Sequence, residues 1–109
     1  MSRSPHWRLA AALSTSSLSW TEVALIWSDQ AWEEYLWWQV HDRKMLRRIN
    51  LLLRDIQRSG HEGVGRPEPL RYQLTGYWSR RITDEHRLVH RIDDDGAGLI
   101  ASCRHHYGD

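Results

Sequence analysis

The chain has 109 residues, 40% of them hydrophobic and 27% charged, with a formal net charge of +1; this suits one globular domain with a single core and excludes a disordered or collagen-like chain. No apolar run approaches the ~20 residues of a membrane-spanning helix. Cys103 stands alone, which excludes an intrachain disulfide and a cysteine-rich metal site and fits a reducing compartment, the cytoplasm.

Residues 1–22 carry Ser, Ala and scattered apolar residues without a sustained period. Arg3 and Arg8 before Leu9–Leu13 only faintly resemble a signal peptide, the apolar run being too short. This stretch is expected to be a flexible extension, or to lie outside the natural product, with the folded domain over 23–109. Val23–Trp27 reads as a short buried strand. Ser28 is placed to cap a helix carrying Trp32, Tyr35 and Leu36 on one face. Asp42 is a second N-cap. After it Met45, Leu46, Ile49, Leu52, Leu53 and Ile56 trace an apolar stripe, with Arg43, Lys44, Arg47, Arg54 and Arg58 opposite and Gly60 as the stop. His61–Pro69 reads as a Gly/Pro loop. Strands are expected at Arg71–Leu74, Tyr77–Thr83, His86–Ile92 and Gly98–Arg104, joined by turns at Thr75-Gly76, Asp84-Glu85 and Asp93–Gly96. A strand, two helices and then consecutive strands predict an α+β domain, its mainly antiparallel sheet packed on one helical layer.

Charge is unevenly distributed. Between Arg43 and Arg91 there are twelve basic and five acidic residues, and Lys44 is the only lysine of the chain. Arginine favours multidentate contacts to phosphate or carboxylate, although a GC-rich genome enriches it everywhere. Alternation along His86–Ile92 sends Arg87, Val89 and Arg91 to one side, and Arg81 can approach Arg87 or its neighbours across the hairpin. Crowded guanidinium groups repel unless an anion lies between them, so the sheet offers either an anion-binding surface or a set of solvated and aspartate-paired arginines.

Two further features can carry chemistry. Glu68 lies between Pro67 and Pro69, which stiffen its backbone; that suits a general base and equally a loop salt bridge. The ending Arg104-His105-His106-Tyr107 offers a guanidinium, two imidazoles and a phenol, and read alone it is a functional group or an idle polar tail. Cleaving RNA with side chains alone needs a base for the 2′-hydroxyl, an acid for the leaving 5′-oxygen and cations at the phosphate. Glu68, His106 and Arg87 have those chemistries, and Tyr107 can stack on a base or bond a phosphate. No zinc-type spacing, phosphate-binding Gly-rich loop or Gly-x-Ser-x-Gly elbow occurs.

Leu25-Ile26-Trp27-Ser28, Trp32-Glu33-Glu34-Tyr35, Gly65–Leu70, Gly76–Thr83, Glu85–Val89 and the His106-Tyr107 ending closely resemble the YoeB (Txe) toxins of the RelE superfamily, from about Ala24 to Tyr107. The resemblance implies a microbial-ribonuclease-like fold and cleavage of mRNA in the A site of the 70S ribosome without metal or other cofactor. It also implies neutralisation by a Phd/YefM-type antitoxin, self-association as a homodimer, for which Trp37-Trp38 is a candidate contact unless one of the two packs in the core, and contact with DNA only through the antitoxin complex. Carried over, Glu68 matches the general base, His106 the general acid, Arg87 the phosphate-stabilising arginine and Tyr107 the tyrosine of the site. Arg71, Arg80 and Arg81 fall where relatives carry basic residues near the RNA path. A non-catalytic RNA- or antitoxin-binding module with the same fold is the alternative, and a DNA-binding autoregulator lacks a recognition-helix signature. The chain departs from the pattern in Gly108-Asp109 after the tyrosine, in a longer turn at Asp93–Gly98, and in Met1–Glu22 ahead of Val23, where relatives begin. Translation is therefore expected to start naturally at Val23, and the added carboxylates are expected to raise the His106 pKa or crowd the site.

Overall fold

The second helix organises the molecule. In the computed structural model, which describes residues 7–9 and 24–105, α1 spans Asp29–His41 and α2 spans Arg43–Ser59. Ile49, Leu52, Leu53 and Ile56 of α2 are buried in the core, while the expected basic residues face outward. Four such aliphatic side chains contribute about 6–12 kcal/mol of burial free energy. Both expected caps form. The Ser28 hydroxyl accepts from the Ala31 N–H at 3.0 Å and donates to the Ala101 carbonyl at 2.8 Å, so the start of α1 is tied to the sheet. The Asp42 carboxylate accepts from the Lys44 and Met45 N–H groups at 3.1 and 3.2 Å. Gly60, at φ 64°, ends α2 with its N–H on the Ile56 carbonyl. On α1 the buried residues are Ala31 and Trp38, whereas Leu36, expected on the apolar face, is exposed.

The strands are β1 (Trp7–Leu9), β2 (Leu25–Ser28), β3 (Glu68–Pro69), β4 (Trp78–Arg81), β5 (Arg87–Ile92) and β6 (Gly98–Ser102), in the sheet order β1-β2-β6-β5-β4-β3. Among the described residues only β2 and β6 run parallel, and the other pairings are antiparallel. The expected α+β architecture is present. Of the expected extension over 1–22, Trp7–Leu9 are described and pair with β2; the rest of that expectation, with the boundary at Val23, lies outside the described residues. No helix among the described residues is long and apolar enough to cross a membrane.

Two expectations for the loop region fail together. Arg71–Leu74 is not a strand: Tyr72–Leu74 form a 3-10 turn, with Tyr72 at φ 58° and its carbonyl accepting from both the Thr75 N–H and hydroxyl. The strand lies instead inside the Gly/Pro loop, where Glu68 and Pro69 pair with Ser79 and Trp78. A proline fits there because β3 is an edge strand and its missing N–H costs no ladder bond. Trp37 and Trp38 divide their roles. Trp38 is buried and donates from Nε1 to the Cys103 carbonyl at 2.9 Å, while Trp37 stacks on His41 and lies under the Arg104 guanidinium.

Candidate functional site

The pairing register places the site. Glu68 of β3 lies opposite Ser79 of β4, and Arg81, two residues further along β4, lies opposite Arg87 of β5. Residues two apart on a strand, and residues directly opposite on neighbouring strands, share a face. Glu68, Ser79, Arg81 and Arg87 therefore project from one face of the sheet. They line, with Arg66, a cavity of about 140 Å³. The opposite face, carrying Arg80 and Leu88, packs against the core and the loop after α2.

Glu68 is delivered by a backbone that few residues could form. Gly65 has φ 90°, and a Cβ there would meet Leu52 Cδ2 at 2.9 Å, Arg80 Cβ at 3.2 Å and the Arg81 carbonyl oxygen at 3.3 Å. The Gly65 carbonyl accepts from the Arg81 N–H at 2.7 Å, which docks the loop onto β4. Arg66 follows at φ 52°, a left-handed conformation that turns the chain into Pro67 and Glu68.

Arg80, expected near the RNA path, is corrected by its position. It is fully buried, its Nη1 3 Å or closer to Asp55 Oδ2 (2.5 Å) and the Val64 carbonyl (2.9 Å), its Nη2 on the Gly60 and Glu62 carbonyls (2.7 and 2.6 Å). Burial pushes the Asp55 carboxyl up, but bonds from Arg80 and the Val64 N–H outweigh it and hold the pKa below its usual value. This guanidinium holds the 60–64 loop that leads into Arg66 and Glu68. Arg71 is exposed beside the 3-10 turn and does not line the cavity. Of the three arginines expected along the RNA path, Arg81 alone lines the cavity.

Arg81 and Arg87 face each other directly across the hairpin, an unfavourable like-charge pair in a sheet. Nη1 of Arg87 donates to the Thr83 carbonyl and, at 3.2 Å each, to those of Asp84 and His86, all from one nitrogen of the fork. Arg81 has an exposed partner, Asp84, at 3.5 Å, which offsets little of the repulsion. Three guanidinium groups and one carboxylate thus line a single small cavity, a composition that favours a bound anion with a base beside it. Among the described residues no group of three or more His, Cys, Asp or Glu could hold a metal ion.

Arg66 and Ser79 were not expected in the site. Arg66 was visible as a basic residue next to the stiffened Glu68, whereas Ser79 enters only through its register opposite Glu68. The expected acid His106 and the expected Tyr107 lie outside the described residues. The residue before them, His105, is held by β5, since the Arg87 N–H donates to its carbonyl at 3.1 Å.

Comparison with known proteins places the chain in a family. Residues 27–107 match the family of YoeB-like toxins of bacterial type II toxin–antitoxin systems. Toxin YoeB of Escherichia coli (strain K12) is 53% identical over 85 residues, which span 78% of this chain and 100% of that protein. YoeB in a YoeB–YefM complex from Staphylococcus aureus is 49% identical with a TM-score of 0.72, covering 78% of this chain and 98% of that one. The YoeB dimer from Staphylococcus aureus gives 49% identity and a TM-score of 0.73 over 79% of this chain and 99% of that one.

Proposed function

This chain belongs to the YoeB-like toxin family of bacterial type II toxin–antitoxin systems, and we propose that it acts there as a ribosome-dependent endoribonuclease that cleaves mRNA in the A site. The observation that carries the reading is the convergence of Glu68, Arg81 and Arg87 on one cavity, with two arginines opposed so that a phosphate between them relieves their repulsion. Glu68, as carboxylate, accepts the proton of the 2′-hydroxyl. The freed oxygen attacks the adjacent phosphorus, Arg87 and Arg81 hold the phosphoryl oxygens as charge gathers on them, and the 5′-oxygen leaves with a proton from His106. The product is a 2′,3′-cyclic phosphate and a 5′-hydroxyl. Tyr107, which the family match includes, joins this proposal by sequence resemblance.

The same cations make the surface for the inhibitor. A YefM-type antitoxin, as in the Staphylococcus aureus complex, would lay an acidic segment across Arg66, Arg81 and Arg87, with charge-assisted bonds offsetting the cost of ordering it. Pairing with a second copy, as in the Staphylococcus aureus dimer, belongs to the same proposal.

The test uses ribosomes programmed with a defined A-site codon and the Glu68→Ala and His106→Ala proteins. Loss of about 100-fold or more in single-turnover rate, with ribosome binding retained, is expected for each. Cleavage at the wild-type rate by either variant would remove that residue from the mechanism, and at that rate by both would leave a binding module.

A further inference from the structure

The segment that leads into His106 is fastened by a residue to which the mechanism gives no role. His86 stands at the corner between the β4–β5 turn and β5, immediately before Arg87. Its Nδ1 accepts a hydrogen bond from the His105 N–H at 2.7 Å. The next residue, Arg87, donates its own N–H to the His105 carbonyl at 3.1 Å. Both sides of the His105 Cα are thereby pinned by consecutive residues of one strand start. His105 has φ 66°, a conformation that costs a non-glycine residue about 1–2 kcal/mol and persists only where neighbours enforce it.

The remainder of the segment is fixed by α1. Glu34 Oε1 accepts from the Cys103 N–H at 2.8 Å, and Trp38 Nε1 donates to the Cys103 carbonyl. The His86 ring stands edge-on to the same Trp38 indole, 4.9 Å between centroids at 89°, so its orientation is set by packing. An Nδ1 that accepts leaves the ring proton on Nε2, which faces Glu85 Oε2 at 3.5 Å. Burial lowers the His86 pKa; Glu85 opposes this, while His105 and Arg104 add to it. The ring is thus kept in the form that can accept the bond. The neighbours are Trp38 from α1, Glu85 and Arg87 from its own strand start, and Arg104 and His105 from the chain after β6.

We propose that His86 is a positioning residue for catalysis: its Nδ1 bond holds His105, the residue next to the general acid, and loss of that bond impairs the acid step. This rests on the reading of His106 as that acid. Its neighbour Arg87 holds the phosphate, so one strand start would align both the phosphate clamp and the proton donor.

The experiment measures single-turnover cleavage on programmed ribosomes with two mRNAs, one natural and one carrying a 5′-bridging sulfur at the scissile position. A thiolate leaves without a proton, so a defect in acid catalysis shrinks on the sulfur substrate, while a defect in folding or binding does not. His86→Ala is expected to slow natural cleavage by about 10- to 100-fold and the sulfur substrate by less than about threefold. His86→Asn, whose side-chain oxygen can accept the same bond, is expected to recover most of the natural rate. Equal defects of His86→Ala on both substrates, or no recovery with asparagine, would overturn the proposal. His106→Ala separates the two readings in the same assay. If its defect is absent, or is not relieved by sulfur, the acid assignment fails; if it is relieved while that of His86→Ala is not, the positioning role alone fails.

Discussion

Replacing Arg80 with alanine separates a scaffold role from an RNA-contacting one. The substitution removes four hydrogen bonds at 2.5–2.9 Å, to Asp55 and to the carbonyls of Val64, Gly60 and Glu62. It leaves the Asp55 carboxylate with its Val64 N–H partner and some contact with water, and it strips three loop carbonyls of their donor. Breaking a buried pair from one side costs about 3–5 kcal/mol, against a total stability of roughly 5–15 kcal/mol for a domain. With a urea dependence of about 2 kcal/mol per molar, the midpoint falls by roughly 2 M. Tryptophan fluorescence in a urea titration reads the change. Arg80→Lys keeps the charge but not the planar fork, and its midpoint is expected to lie between the two. An Arg80→Ala protein whose midpoint stays within about 0.3 M of wild type, yet whose cleavage is lost, would show that this guanidinium reaches RNA and would refute the reasoning.

Three other outcomes follow from the same packing. His90 is fully buried on the core face, with no well-formed hydrogen bond at either ring nitrogen among the described residues, and burial, then Arg80 and His61, lower its pKa to about 3, Gly60 opposing weakly. The folded state thus binds fewer protons than the unfolded one, whose histidine titrates near 6.5. Stability is full above that pH and falls as the pH drops towards 3, by about 2 kcal/mol at pH 5; His90→Leu should flatten this limb in urea titrations at pH 7.5 and 5, and an unchanged difference would remove His90 as its source. Gly65→Ala, strained at φ 90° and crowding Leu52 and the Arg81 carbonyl, should cost about 2–4 kcal/mol in the same titration and lower cleavage through the misplaced Glu68. Arg81→Gln should weaken binding to single-stranded RNA and reduce the slope of log affinity against log salt by about 0.7, the share of one phosphate contact; an unchanged slope would place Arg81 off the backbone.

The helices were legible because their signals are local. The stripe from Met45 to Ile56, the caps Ser28 and Asp42 and the stop at Gly60 all act within a turn of their own position. The nearness of Arg81 to Arg87 was also legible, since a tight turn brings its two strands together, whereas their direct opposition was not, because the turn is wider than Asp84-Glu85. What was missed depends on contacts distant in sequence. Glu68–Pro69 reads as loop by its prolines and becomes a strand only because the edge of β4 is available. Alternation separates Arg80 from Arg81 but does not say which face the 60–64 loop will cover, so the buried arginine was assigned with the exposed one. His86 lay within the family-like Glu85–Val89 segment but offered no sign of its role; its bond to His105 joins positions 19 residues apart. Alternation holds along β5, with Leu88 and His90 on the core face and Val89 opposite Ser79, yet all three are buried because both faces are covered there.

The central claim is that Glu68 works on a 2′-hydroxyl held beside a phosphate clamped by Arg81 and Arg87. The most direct measurement is cleavage of ribosome-bound mRNA carrying a single 2′-deoxy substitution at the scissile nucleotide of the A-site codon, with the ends of the natural product identified by mass. The account predicts no cut at the substituted position and a 2′,3′-cyclic phosphate on the natural product. A deoxy-substituted message cut at the natural rate, or a natural product that forms directly with a 5′-phosphate, would contradict it.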